Sequence, residues 1–373
     1  MHVYLLFVSA VALLSRHSQA CRTAKPPEPP AKSTDRVVLS GGALLDSESR
    51  KPIALTDDVM LLDHHAERLV SSGMRLPLAR AMHMAVSVDG KLIVTGGIRE
   101  ANPTEMFPSR RTLILEGDTA KVGADLPSRS TALRNTAQIG DFLYVCGNKK
   151  GGTFDRTCHR YSIGADKWTQ LKTMLPLEEA RDGQMALAAD GERYLYSIFT
   201  MGKNTGEGHD TRFSEKEKRA LQRRKTDFVV YRLDTRDADA DWTLESSTRA
   251  DKDTLYILDS VFVPTTKRLL SCSLGMEKGE KATVCVYYDP ATKEWSKAPT
   301  VTETALDVSS FLRLLHCDGR VFAFRLNAFG SHKSIIKVET LLDDAAAWTT
   351  LQAASFNNGY YFFGTACVNI AQQ

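Results

Sequence analysis

Residues 82–97 read MHMAVSVDGKLIVTGG and have the pattern of a β-hairpin. Apolar residues alternate from Met82 to Val88, and a more continuous apolar run follows from Lys91 to Gly97. The Asp89-Gly90 step between them favours a tight turn, because Gly adopts positive φ without steric cost. The segment therefore predicts a short strand, a turn and a more buried strand. Corresponding turns occur at Gly140-Asp141, Asp190-Gly191 and Asp318-Gly319.

A pair of apolar residues that can anchor neighbouring strands recurs six times along the chain. The pairs are Leu62 and Leu69, Leu115 and Val122, Tyr161 and Trp168, Tyr231 and Trp242, Tyr288 and Trp295, and Leu341 and Trp348. Their second members lie 53, 46, 74, 53 and 53 residues apart, and such a period is typical of stacked or radially repeated β units. Together with the hairpins, this repeat predicts an all-β chain.

The repeated segment resembles the kelch repeat, in which a buried strand ends in a Gly pair and a Tyr and a Trp follow at fixed spacing. Gly41-Gly42 and Gly96-Gly97 match the Gly pair, and Gly147-Asn148 matches half of it. Tyr288 and Trp295 match the outer anchors. The resemblance covers the chain from Arg36 to the C terminus and implies a kelch-type β-propeller of four-stranded blades.

The period predicts six blades, with seven as the less favoured count. The first repeat begins at its second strand, Val37 to Ser40, so its innermost strand must come from elsewhere in the chain. The apolar segment Tyr360 to Val368 can supply that strand, or it can form part of a degenerate seventh unit. We expect the six-bladed ring to be closed by this C-terminal segment.

The N-terminal segment differs in composition from the repeats. Residues 1–20 contain an apolar run and end in Ser-Gln-Ala, which predicts a signal peptide. A buried strand, or a lipid anchor at Cys21, is the alternative. Residues 21–35 contain four prolines and predict an extended linker, so we expect the propeller over residues 36–373. The expected location is secreted or extracytoplasmic, without a membrane span.

The overall charge of the chain does not indicate a protein that binds nucleic acid. The chain of 373 residues has 48 Lys and Arg against 45 Asp and Glu, a net charge of +3. This excess is too small to argue for a nucleic-acid partner. The histidines show no metal-ligand spacing, so we expect no metal site. We also expect no cofactor. The expected oligomeric state is a monomer.

Four of the seven cysteines occupy equivalent places in two repeats. Cys146 and Cys158 lie where Cys272 and Cys285 lie two repeats later. These positions fall on consecutive antiparallel strands, where facing residues are close enough for a disulfide. We predict the bridges Cys146–Cys158 and Cys272–Cys285, with buried thiols as the alternative. Three cysteines stay unassigned: Cys21, Cys317 and Cys367.

Three connections between repeats carry an arginine shortly after a Leu-Pro step. These residues are Arg80, Arg129 and Arg181. In an up-and-down blade, such connections emerge on the same face as the loop between the second and third strands. In kelch-like repeats such an arginine often pairs with backbone carbonyls of a neighbouring blade. The other reading is a guanidinium cluster that binds an anion.

The interval of 74 residues marks an insertion at about residues 201–226, between the second and third strands of the fourth repeat. Lys and Arg outnumber Asp and Glu there by eight to four. We therefore expect a basic segment on the arginine-bearing face, with Arg212 as a further ligand-binding candidate. The sequence is compatible with two interpretations of this segment, a solvated loop or a basic lid over the ring.

These features favour a non-enzymatic propeller that binds an extracellular protein or glycan, including an anionic one. Intracellular kelch adaptors of ubiquitin ligases carry a helical domain where this chain has its predicted signal peptide and linker. The alternative is an enzyme similar to the sialic acid mutarotases in size, export and insertion. That resemblance would imply a carboxylate held by Arg181 or Arg212 and a proton moved by Glu207 or Asp210.

Overall fold

The computed structural model describes fifteen stretches of the chain, all within one compact unit that begins at Asp35. They are residues 35–45, 52–63, 67–102, 105–128, 135–150, 153–176, 185–202, 226–249, 254–277, 280–299, 312–327, 335–343, 345–351, 360–361 and 363–369. These residues form antiparallel sheets arranged as the six blades of a β-propeller. The expected fold and blade count are confirmed.

Each blade has four strands, which we call A to D from the innermost to the outermost. Blade 1 takes its strands B to D from β1 (Asp35–Leu45), β2 (Pro52–Asp63) and β3 (Arg68–Arg75). Blade 2 contains β4 (Met84–Val88), β5 (Lys91–Thr95), β8 (Thr112–Glu116) and β9 (Thr119–Gly123). Its B–C connection forms a separate hairpin of β6 (Ile98–Asn102) and β7 (Glu105–Pro108). Blade 3 contains β10 (Thr136–Ile139), β11 (Phe142–Lys150), β12 (Thr153–Ser162) and β13 (Lys167–Met174).

The remaining blades follow the same order. Blade 4 contains β14 (Met185–Ala189), β15 (Tyr194–Gly202), β16 (Thr226–Asp234) and β17 (Thr243–Arg249). Blade 5 contains β18 (Thr254–Val263), β19 (Arg268–Glu277), β20 (Glu280–Asp289) and β21 (Glu294–Lys297). Blade 6 contains β22 (Leu312–Cys317), β23 (Arg320–Asn327), β24 (Ile335–Leu342) and β25 (Thr349–Leu351). The chain returns to blade 1 with β26 (Tyr360–Tyr361) and β27 (Gly364–Asn369).

The ring is closed by the C-terminal strands, as the sequence predicted. Strand β27 pairs antiparallel with β1, with Val37 opposite Cys367, and β26 continues the pairing at Ala43 and Leu44. Strands β26 and β27 therefore act as an interrupted strand A of blade 1. Strand β27 also contacts the innermost strands of blades 2 and 6. The two ends of the described chain thus meet in one sheet, which gives blade 1 its innermost strand.

Three disulfides connect strands of the ring. Cys146 faces Cys158, and Cys272 faces Cys285, across strands B and C of blades 3 and 5, so both predicted bridges are confirmed. The third bridge, Cys317–Cys367, links strand A of blade 6 to strand A of blade 1. It therefore fastens the point at which the ring closes. Three disulfides are typical of an oxidising compartment.

The repeated aromatic anchors pack between blades. Tyr161 pairs with Trp168, and Tyr288 pairs with Trp295, and in each pair the ring centroids are 4.9 Å apart. The Trp168 indole donates a hydrogen bond to the carbonyl of Ala124, 3.0 Å away at the end of blade 2. Equivalent bonds reach the preceding blade from Trp295, to Ser246 Oγ at 3.1 Å, and from Trp348, to Pro299 O at 3.0 Å. The anchor spacing thus reports blade-to-blade contacts as well as strands.

Two of the anchor pairs do not face each other directly. Val122 faces Leu113 rather than Leu115, and its side chain is exposed. Tyr231 faces Leu244, two residues beyond Trp242, because Arg232 already pairs with Thr243. The residue that faces an anchor depends on the length of the turn between strands C and D, so sequence spacing alone does not set the register.

The Gly pairs allow the backbone to pass close to a buried histidine. Gly97 has φ +82°, and a Cβ atom placed on it would lie 2.5 Å from the carbonyl oxygen of Ala81 and 2.7 Å from Cβ of His83. Gly41 has φ +60°, and its Cβ would lie 2.3 Å from the carbonyl oxygen of Arg80. Side chains would clash at both positions, and L-residues also disfavour this backbone conformation.

We expect Gly97→Ala to lower the free energy of unfolding by about 2–4 kcal/mol, because it adds a backbone clash to an unfavourable φ. Gly90→Ala is the matched control, since Gly90 has φ +73° but no atom within 4 Å of its Cβ position. The control should cost about 1 kcal/mol. Urea unfolding of both variants measures the difference, and equal costs would show that close packing at Gly97 is unimportant.

Candidate functional site

The connection that carries Arg80 and the strand ends that flank the predicted insertion lie at the same end of the ring. We call this end the loop face; it carries the B–C loops and the connections from strand D of one blade to strand A of the next. Strands β15 and β16 hold the two ends of the insertion there, with Gly202 paired to Thr226. Residues 203–225 lie outside the described residues, and so do the candidates Arg129, Arg181 and Arg212 and the acids Glu207 and Asp210.

Arg80 is described and is completely buried. Its Nη1 lies 3.4 Å from the carbonyl of Gly96 and 3.2 Å from that of Arg111, the two ends of the blade 2 B–C connection. Its own backbone joins blade 1, where its N–H reaches Thr56 O at 3.2 Å and its carbonyl accepts from Gly42 N at 2.8 Å. These are the backbone contacts expected of a supporting arginine. The Arg80 side chain thus links the two ends of the blade 2 B–C connection, which lies on the loop face.

Three further arginines lie in the blade 2 B–C connection that Arg80 contacts, and none of them was predicted from the sequence. Arg99 follows the first residue of β6, while Arg110 and Arg111 directly precede β8, and all three are exposed. Arg110 Nε donates to the carbonyl of Leu126 at 2.6 Å. We call Arg80, Arg99, Arg110 and Arg111 the arginine patch. Arg99, Arg110 and Arg111 were not predicted because no Leu-Pro step precedes them in the sequence.

The arginine patch brings together several positive charges. Among the described residues, no carboxylate forms an ion pair with any of its four members, although other arginines, such as Arg75, Arg193 and Arg313, are paired. Nε and Nη2 of Arg80 are buried without a hydrogen-bond partner. Burial, followed by the positive charges of Arg99 and Arg111, lowers the pKa of Arg80 to about 10. An anion placed here would relieve this repulsion.

The innermost strands carry a second polar network. Arg313 in β22 reaches Asp259 in β18, with Nη1 3.2 Å from Oδ2, and its Nε donates to Thr365 Oγ1 in β27 at 3.3 Å. Asp259 also accepts from the backbone N–H of Leu314 at 2.8 Å and of Ser260 at 2.9 Å. The network therefore joins blades 5, 6 and 1. It supports the ring and offers no open ligand group, because Asp259 is buried and saturated by these contacts.

His83 lies buried between blades 1 and 2. Its Nε2 is 2.9 Å from Ser40 Oγ, and its Nδ1 is buried without a partner. Burial, and then the charge of Arg80, keeps the pKa of His83 well below its ordinary value. The histidine is therefore neutral in the folded protein at physiological pH.

This neutral histidine predicts an acid-sensitive stability. The unfolded chain protonates its histidines near pH 6.5, whereas folded His83 resists protonation, so stability should fall as pH drops below about 6.5. His83→Gln should flatten the decline by up to about 1.4 kcal/mol per pH unit, because the variant has no imidazole to protonate. Urea unfolding between pH 7.5 and 5.0 checks this. Parallel curves for the two proteins would refute the assignment.

The described residues contain no group of three or more His, Cys, Asp and Glu side chains arranged to hold a metal ion. In the same stretches, no helix has the length and apolar character needed to cross a bilayer.

Comparison with known proteins gives one partial match and no match to a family model. The chain is 28% identical over 113 residues to a kelch repeat and BTB domain-containing protein 2 from cowpox virus. The match covers 30% of this chain and only 18% of the viral protein. Together with the six-bladed architecture, this similarity is consistent with a kelch-repeat propeller family.

Proposed function

We propose that this kelch-like propeller is a secreted monomer that binds an extracellular protein or glycan through its loop face. The observation that carries the proposal is the convergence of two basic features on one end of the ring. The strands that hold the 201–226 insertion open onto the same face as the exposed arginines 99, 110 and 111. Propellers commonly use such loop clusters on a rigid scaffold for binding.

Charge supports the same assignment. The insertion carries a net charge of +4 in a chain whose total is +3, so the rest of the chain has a net charge of −1. Like charges gathered in one place raise the local concentration of anionic partners and speed their association. The disulfides support an extracellular setting, since such bonds persist under oxidising conditions.

The register of blade 4 permits a clean test of the insertion. Because Gly202 and Thr226 are paired across β15 and β16, residues 203–225 can be replaced by Asn-Gly, which closes a two-residue hairpin. We expect this variant to capture at least about tenfold less of its partners from extracellular fluid, as measured by quantitative mass spectrometry, because it loses the basic segment.

The matched control changes the opposite end of the same blade. Residues 236–239 form the turn between β16 and β17, and their replacement by Gly and Ser leaves the loop face intact. This control should capture as much as the natural chain. Undiminished capture by the insertion variant, or equal loss in the control, would argue against binding through the loop face.

Secretion is tested separately. We expect the full chain expressed in cultured eukaryotic cells to appear in the medium with a new N terminus at Cys21, as the predicted cleavage site requires. Retention of the intact chain inside the cells would contradict this part of the proposal.

A further inference from the structure

The arginine patch sits on a framework that fixes its positions. Ala81 and Ile98 exchange two backbone hydrogen bonds, of 3.1 and 2.8 Å, which tie the start of β6 to the connection from blade 1. Ser109 N bonds to Gly97 O at 2.7 Å and closes the base of the β6–β7 hairpin. Arg99 and Arg111 each lie within two residues of these bonds. Their backbones are therefore held in place before any ligand arrives.

Three of the four most exposed side chains at this position are arginines. Among described residues 76–83, 96–99 and 108–111, the exposed side chains are Pro77, Arg99, Arg110 and Arg111. The partly exposed residues beside them, such as Leu78, Met82 and Ile98, are apolar, and every charged group in these stretches is an arginine. A polyanion needs charge and forked N–H donors, which arginine supplies.

We propose that the arginine patch is an oxyanion site for the sulfate groups of an extracellular glycan. This assignment rests on the proposed function and names the ligand class of its loop face. Arg99 and Arg111 hold the sulfate oxygens directly, and Arg110 adds charge beside them. Arg80 is buried behind them and adds a further positive charge, and no carboxylate among the described residues pairs with it.

The test is calorimetric titration of the full chain with a heparin-derived hexasaccharide. Arg99→Ala and Arg111→Ala should each weaken binding about tenfold, and the double variant about 100-fold, because each change removes a charge-assisted contact. Both side chains are exposed, so these variants should fold normally, which thermal unfolding verifies. Binding should also weaken at higher ionic strength.

Arg236→Ala is the matched control, because Arg236 is an exposed arginine on the opposite face of blade 4. It should bind the hexasaccharide like the natural chain. Loss of binding in this control equal to that in Arg99→Ala would mean general charge attraction and would overturn the site. Unchanged binding in the double variant would overturn it as well.

Two comparison ligands distinguish the source of the anion. A desulfated hexasaccharide should not bind measurably, and a poly-glutamate peptide of similar charge should bind at least about tenfold more weakly than the hexasaccharide. Tighter binding of the peptide would overturn the glycan assignment. The insertion variant separates this inference from the proposed function: it keeps the arginine patch, so its hexasaccharide binding reports on the patch while partner capture reports on the insertion.

Discussion

Arg313→Ala is expected to lower the free energy of unfolding by about 3–5 kcal/mol, the largest effect of any single substitution considered for this protein. The reason lies in Asp259, which is 1% exposed and loses its ion pair with Arg313 in this variant. Removal of one partner from a buried ion pair is strongly destabilising, because the other charge stays buried with less compensation. The effect should reach three blades, since Arg313 also bonds to Thr365 in the closing strand.

A double variant shows whether the loss of stability comes from the negative charge that remains on Asp259. Arg313→Ala with Asp259→Asn removes both charges and keeps an oxygen that can accept from Leu314 or Ser260. Its cost should be at least about 1 kcal/mol smaller than that of Arg313→Ala alone. Urea unfolding midpoints measure both. A cost below about 1 kcal/mol for Arg313→Ala would mean that the ion pair contributes little to ring stability.

Removal of the Cys317–Cys367 disulfide is expected to cost about 4 kcal/mol by the loop-entropy relation, because the bridge closes a loop of 50 residues. Cys317→Ala with Cys367→Ala should also loosen β27, the strand that closes the ring. Hydrogen exchange of residues 364–369 should therefore rise. The unfolding free energy and the exchange rates are measured on the same sample.

The within-blade disulfide gives the matched comparison. Cys272 and Cys285 are 13 residues apart, so their loss should cost about 3 kcal/mol and leave exchange in β27 unchanged. Equal exchange in β27 for both double variants would contradict a special role for Cys317–Cys367 in closure.

The sequence could predict contacts between neighbouring strands of one blade. Cys146 and Cys158 were paired because they occupy facing positions on adjacent strands of one repeat, and their equivalents in blade 5 repeat the arrangement. Closure by the C-terminal segment followed from the first repeat, which lacks an inner strand. Both inferences depend on neighbours within one sheet.

Contacts between blades that do not recur from repeat to repeat could not be predicted in the same way. Cys317 and Cys367 lie in different blades, and so do Asp259 and Arg313, which are separated by 54 residues. No repeat position marks these partners, since each interaction occurs once among the described residues. Three members of the arginine patch, Arg99, Arg110 and Arg111, were not predicted because they lack the Leu-Pro step that precedes Arg80.

The loop face is tested most directly by hydrogen exchange of the full chain with and without the heparin-derived hexasaccharide. We expect protection in residues 76–83 and 96–111, which carry the arginine patch. The turns at residues 163–167 and 235–242, on the opposite face, should exchange at unchanged rates. Protection confined to those turns, or no protection in residues 96–111 under saturating hexasaccharide, would contradict binding at the loop face.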